Sequence, residues 1–209
     1  MTKYFKKIAC FSLMAVAVVM FAGCEKGENG DSGTIAGYEW VDLGLPSGLK
    51  WATCNVGAAT PEDYGNYYAW GETTTKSSYT DENSVTDGQQ ISDFSGNSTY
   101  DAARANWGGS WRVPTIAEME ELENKCTWTW TSQSGVNCCK VTGPNGNSIF
   151  LPAAGNCEGS SRYSVGAFGN YWSSTPDESY TNLDFSSGSH YGVDWGNRSF
   201  GLTVRPVSE

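Results

Sequence analysis

Histidine is almost absent. His190 is the only one in the chain, and it sits in the glycine- and serine-rich stretch 186–192, so a histidine-based triad or zinc site would have to be assembled around a single loop residue. Basic charge is scarce as well: 13 lysines and arginines face 23 aspartates and glutamates, for a formal charge of -10. That balance excludes the basic face that nucleic-acid phosphates require, so nucleic acid is not an expected partner. Charged residues of both signs make up only 17% of the sequence, too few for a disordered tail or a coiled coil. Between residues 72 and 97, a run rich in Thr, Ser, Asp and Asn, hydrophobic periodicity is missing and the chain reads as a long surface excursion.

What is present begins with a leader. Residues 1–24, MTKYFKKIACFSLMAVAVVMFAGC, place Lys3, Lys6 and Lys7 before an apolar run and small residues before Cys24. This is the order of a secretory signal, too short and too one-sided in charge for a spanning helix. The Phe-Ala-Gly-Cys ending resembles a bacterial lipoprotein processing box, which implies a lipoprotein signal peptide at 1–23 and Cys24 as the lipidated first residue of the mature chain. Losing 1–23 removes three lysines and no carboxylate, so the formal charge of -10 becomes -13. Residues 24–37 hold glycine and charge with almost nothing apolar, a flexible tether ahead of one domain at 38–209. The expected place is extracytoplasmic, lipid-anchored to the outer membrane, with Glu25, Glu28 and Asp31 near the anchor in keeping with surface exposure.

The domain is loop-rich and aromatic, with 20 of the chain's 25 glycines and all nine tryptophans. Segments 38–43 and 49–54 form a hairpin around Leu45-Pro46-Ser47-Gly48, and 100–106 suits a short helix. In SWRVPTIAEMEEL, Pro114 holds Val113 extended, Thr115 is placed as N-cap and Glu118 as its capping-box partner. Ile116, Met119, Leu122 and Cys126 then recur at helical spacing as one buried stripe. Strands are expected at 127–131, at 135–142 and 148–153 around Gly143-Pro144-Asn145-Gly146, and at 171–174, 180–185 and 199–207. Within 180–185, Leu183 and Phe185 share one face while Asn182 and Asp184 share the other. One main amphipathic helix among many short antiparallel strands and long loops makes the fold class α+β. Five cysteines remain beyond Cys24: Cys54, Cys126, Cys138, Cys139 and Cys157. Export permits disulfides, the odd count leaves at least one thiol over, and the adjacent pair lacks the gap of zinc and redox motifs; one or two disulfides or buried thiols are expected.

The blocks VDLGLPSGLKWATCNVGA, YYAWGET, YDAARANWGGSWRVPT, CTWTW, VTGPNGNSIFLPAAG, GNYWSST and the terminal VRPV together resemble the Fibrobacter succinogenes major paralogous domain, a family frequent in exported lipoproteins. The shorter WR-x-PT and YWSST pair also resembles the C-terminal domain of the Legionella collagen-like adhesin. Both resemblances imply a C-type-lectin-like, or formylglycine-enzyme-like, α+β fold whose N- and C-terminal strands pair, here 38–43 with 202–207. They also place Trp111, Arg112, Pro114 and Trp172 as a structural keystone where the helix docks on the small sheet, with Arg112 holding a carboxylate or carbonyls.

Catalytic residues are not expected: no histidine-based constellation is complete, and the late cysteine pair of formylglycine-generating enzymes is missing. Ligand binding is better supported, since saccharides are held by aromatic faces and by Asp, Asn and Arg hydrogen bonds. The loops with that mix carry Asp177, Tyr180, Tyr191, Asp194, Trp195, Asn197 and Arg198. No cofactor is expected: the Glu-Pro-Asn or Gln-Pro-Asp loop of calcium-dependent lectins is missing, although the acidic loops leave room for a calcium site of another kind. The sequence thus points to a binding or adhesion module for glycan or a surface protein, with a structural subunit of a surface assembly as alternative and an envelope hydrolase third.

Overall fold

The computed structural model describes residues 31–176, 182–188, 190–194 and 196–209. The signal peptide, Cys24 and most of the tether lie outside these residues. Among them, no helix is long and apolar enough to cross a membrane. The elements run β1 (Ser32–Ile35), β2 (Tyr38–Asp42), β3 (Lys50–Ala52), α1 (Ala102–Trp107), α2 (Ile116–Lys125), β4 (Thr127–Gln133), β5 (Val136–Thr142), β6 (Ser148–Pro152), β7 (Asn156–Glu158), β8 (Ser161–Tyr163), β9 (Phe168–Trp172), β10 (Asn182–Ser186), β11 (His190–Asp194) and β12 (Val207–Ser208). The sheets are ordered β1-β2-β3-β12, β11-β10-β9, β4-β5-β6 and β7-β8. All their strand pairs are antiparallel, and the fold is α+β.

The terminal strands meet differently from the expected pairing of 38–43 with 202–207. β12 pairs with β3, which lies between it and β2. The far edge of β2 is taken by β1, a strand inside the stretch read as tether. The two-residue turn at Ala36 and Gly37, both at positive φ (49° and 88°), closes a tight hairpin whose twist suits antiparallel partners. With that edge filled, only β3 remains open to the C-terminus. SGTI escapes sequence reading because it offers little apolar surface; backbone pairing, not burial, makes it a strand.

The N-terminus of α2 is built as its sequence implies. Thr115 Oγ1 accepts from Glu118 N (3.3 Å) and Thr115 N donates to Glu118 Oε2 (2.8 Å), a complete capping box. Arg112 adds a fork on the same carboxylate, Nη1 to Oε2 at 2.8 Å and Nη2 to Oε1 at 2.6 Å, and this bond raises the Arg112 pKa. Met119 and Leu122 are buried among Leu43, Leu49, Trp51, Leu151 and Phe185, while Ile116 and Cys126 are half-buried. A second cluster gathers Trp70, Trp107, Trp111, Val113 and Trp172. Fully buried Trp111 donates Nε1 to Ile35 O (2.8 Å), and Trp172 donates to Tyr68 O (2.6 Å). The segment 72–97 is irregular but anchored: Thr86 and Phe94 are buried, and Phe94 meets the Trp70 ring edge-on at 4.9 Å.

The segment 202–207 threads these parts together. Val56 N donates to Val204 O (3.0 Å), Tyr68 exchanges two bonds with Leu202, Trp172 N donates to Thr203 O (3.0 Å), and Arg112 exchanges two bonds with Val207. From the thread, Arg205 sends its guanidinium into the interior, 1% exposed. Its Nε donates to Asn55 Oδ1 (2.8 Å), Nη1 to Ala52 O (2.9 Å) and Thr53 O (2.8 Å), and Nη2 to Phe150 O (2.8 Å). Burial lowers its pKa; the ring of neutral acceptors offsets that penalty without a carboxylate.

The five cysteines are free thiols, Cys138, Cys139 and Cys157 buried and Cys54 and Cys126 half-buried. Burial pushes the Cys139 thiol up to about 12 and Cys126 to about 11, far from nucleophilic range at neutral pH.

Truncating Arg205 takes the donor from four acceptors, two of them in fully buried bonds. Arg205→Met is expected to cost about 3–5 kcal/mol, a fall in thermal midpoint of about 10 °C. Arg112→Gln, at a fork whose side chains are 13% and 18% exposed, is expected to cost only about 1–2 kcal/mol. Thermal denaturation followed by circular dichroism checks both; equal losses would deny Arg205 its special place.

Candidate functional site

Two adjoining hollows flank the β7-β8 hairpin. Alternation along β7 sends Cys157 to one side and Asn156 to the other. The larger hollow, about 330 Å³, takes Cys157 and its cross-strand partner Arg162, facing Asn66, Tyr67, Lys76, Ser77 and Tyr79. The smaller, about 150 Å³, takes Asn156 together with Asn170, Asn182, Asn197 and Phe200.

Four of the described residues that line the smaller hollow are asparagines, set among Gly196, Phe200 and Leu202. In the β9-β10 pair Asn182 stands opposite Trp172 and Asp184 opposite Asn170, so Asn170 and Asn182 share one face. On the other face Tyr171, Leu183 and Phe185 enter the core. Phe185 packs so closely on β9 that a Cβ at Gly169 would lie 2.0 Å from its ring, which is why glycine stands there. Asn182 is 3% exposed, and its Oδ1 has no hydrogen-bond partner. A Cβ at Gly196 would come within 2.7 Å of that oxygen, so only glycine lets the backbone lie this close against it. An unsatisfied amide oxygen at this depth costs about 1–3 kcal/mol, which a hydroxyl or ammonium donor from outside would recover.

The larger hollow has a tyrosine floor. Tyr67 OH donates to Ala154 O (2.6 Å) and Tyr79 OH to Tyr67 O (2.5 Å). Burial pushes the Tyr67 phenol up to about 12 and raises Tyr79 as well, so both stay neutral. The walls are tied at their base by Tyr79 N to Gly159 O (2.8 Å) and Gly159 N to Tyr79 O (2.7 Å). Lys76 bonds Glu72 Oε1 (2.7 Å) and Asn83 O (2.6 Å), and the Arg162 guanidinium lies 4.8 Å over the Tyr67 ring.

Of the residues expected to bind ligand, Asp177, Tyr180 and Trp195 lie outside the described residues. Tyr191 and Asp194 fall on β11, with their side chains outside the description. Asn197 lines the smaller hollow, its Nδ2 on Asp81 Oδ1 (3.2 Å) and its Oδ1 accepting from Ser199 N (3.1 Å). Arg198 is engaged elsewhere: it stacks 4.1 Å over Trp70 and donates Nη1 to Gln89 O (3.1 Å), fastening the 72–97 excursion. Of the keystone set, Trp111, Arg112 and Trp172 sit as described above, and Pro114 O accepts from Ser174 N (2.8 Å). Sequence reading missed Asn156, Asn170 and Arg162. It had seen Asn182 and Asp184 opposite Leu183 and Phe185, and a buried strand with polar side chains on its second face was the available signal.

Among the described residues, no three His, Cys, Asp or Glu side chains gather as metal ligands. What both hollows offer is hydrogen bonding and, in the larger one, positive charge. No protein-family model, curated protein or solved structure matches the chain.

Filling the orphaned position with carbon tests whether it is kept at a cost. Asn182→Leu is expected to raise the thermal midpoint by a few degrees, through about 1 kcal/mol regained at the buried oxygen. A marked fall on the same thermal scan would mean that Asn182 is a structural amide.

Proposed function

We propose that this chain is a cell-envelope lipoprotein whose one domain is a non-catalytic binding or adhesion module for glycan. The observation that carries the reading is the amide-lined hollow around the buried, unpartnered Asn182 Oδ1. Amides that both donate and accept, beside an aromatic ring at Phe200, suit neutral hydroxylated ligands better than apolar or catalytic ones. The leader ending at Cys24 supports export and lipid anchoring at the outer membrane. The blocks resembling the Fibrobacter succinogenes major paralogous domain, and the α+β architecture, support a C-type-lectin-like fold.

A second reading, a structural or accessory subunit of a surface assembly, draws on Tyr163, Val165 and Phe168, exposed at 50%, 40% and 36%. These fall within a few residues of one another beside the hairpin, as a protein contact would require.

A glycan array probed with the full chain, with and without calcium, tests the first reading. Saturable binding to one saccharide class, reduced at least about tenfold by Asn182→Leu as expected when a buried acceptor is lost, supports it. An array silent in both conditions contradicts it and favours the assembly role, which pull-down from envelope extracts then tests.

A further inference from the structure

The larger hollow differs from the smaller in charge. Among the described residues that line it, Lys76 and Arg162 are the cations and none is an aspartate or glutamate, in a chain where acids outnumber bases 23 to 13. The Lys76 charge is already met: Glu72, whose side chain is 4% exposed, holds it at 2.7 Å. Arg162 has no carboxylate within ion-pair distance among the described residues. Its own hairpin orients it. The two-residue turn Gly159-Ser160, with Gly159 at φ 55°, returns β8 so that Arg162 stands opposite Cys157, and the neutral Tyr67 ring lies beneath its plane. The Arg162 guanidinium shares a hydrogen bond with the Cys157 thiol, and a guanidinium stacked on an aromatic face can turn its remaining donors to a planar bidentate acceptor. Ser77 and Ser160 line the same space with hydroxyls.

We infer that this hollow seats the carboxylate of an acidic sugar residue, a uronic or sialic acid, with Arg162 as the bidentate anchor. The inference rests on the glycan-binding reading and names its ligand class. One uncompensated cation matches one carboxylate, the serines and Asn66 match ring hydroxyls, and about 330 Å³ is the size of a small-ligand site. The smaller, uncharged hollow across the hairpin would then hold a neutral portion of the ligand.

The test uses the full chain on an array of matched pairs, each uronic- or sialic-acid oligosaccharide printed beside its methyl ester, with sulfated oligosaccharides as a third set. The expected result is a preference of at least about tenfold for acid over ester, the scale of one charge-assisted bond. Arg162→Gln should erase it and Arg162→Lys keep part of it. Arg162 is exposed, so an unchanged thermal midpoint separates loss of recognition from loss of fold. Equal binding of acid and ester, an acid preference that survives Arg162→Gln, or a preference for sulfated chains over carboxylated ones each overturns the inference while leaving glycan binding intact. Binding to no saccharide of any charge overturns both.

Discussion

The architecture hangs on one buried cation. Arg205 carries a guanidinium into the interior with no acid to neutralise it, and the protein arranges peptide carbonyls and one amide oxygen where its donors point. Those acceptors come from β3, the strand end that follows it, and β6, so three parts of the chain must arrive together before the charge can be buried. Nearby Tyr171 is fully enclosed and donates to Pro152 O (2.7 Å), while Asn55 bridges Tyr171 and Tyr64 O. Short strands of two to seven residues form weak sheets on their own. A directional, all-or-none polar centre supplies the register that so little sheet cannot.

That centre also explains where the two hollows open. The thread 202–207 holds Tyr68 and Trp172 from one side, and just upstream Gly201 exchanges bonds with Cys157 (2.8 and 2.9 Å). The β7-β8 hairpin is thereby held by the C-terminal segment on one side and by Tyr79 on the other, with Cys157 buried between, and a hollow opens on each flank. Tyr67, Tyr68, Ala69 and Trp70 alternate between two clusters, Tyr67 and Ala69 beneath the larger hollow and Tyr68 and Trp70 in the tryptophan core. The floor of the site and the wall of the core are thus the two faces of one extended run, and the site inherits the core's rigidity.

Features encoded locally were legible in the sequence. Pro114, Thr115 and Glu118 announce the start of α2 within five residues, and Gly143 to Gly146 announce the turn between β5 and β6. What escaped depends on distant partners. SGTI becomes a strand because Tyr38–Asp42 lies opposite, Arg205 becomes a core residue because carbonyls from residues 52, 53 and 150 converge, and Phe94 anchors an otherwise aperiodic excursion. Much of the lining of the two hollows escaped for the same reason. The last loops were the expected site and of them Asn197 lines the smaller hollow, whereas Asn156, Asn170 and Asn182 join it only after strand pairing, and Arg162 lies over Tyr67 through the hairpin. Arg198, chemically the same as Arg162, is spent on Trp70.

The central claim is that the amide-lined hollow, and not the exposed apolar loop, receives the ligand. Side-chain amide resonances of an isotope-labelled sample, followed while a mixture of neutral and acidic oligosaccharides is added, test this directly. The account predicts that the signals of Asn156, Asn170, Asn182 and Asn197 move together and saturate. Unmoved amides, or shifts confined to the residues around Tyr163, Val165 and Phe168, would contradict it.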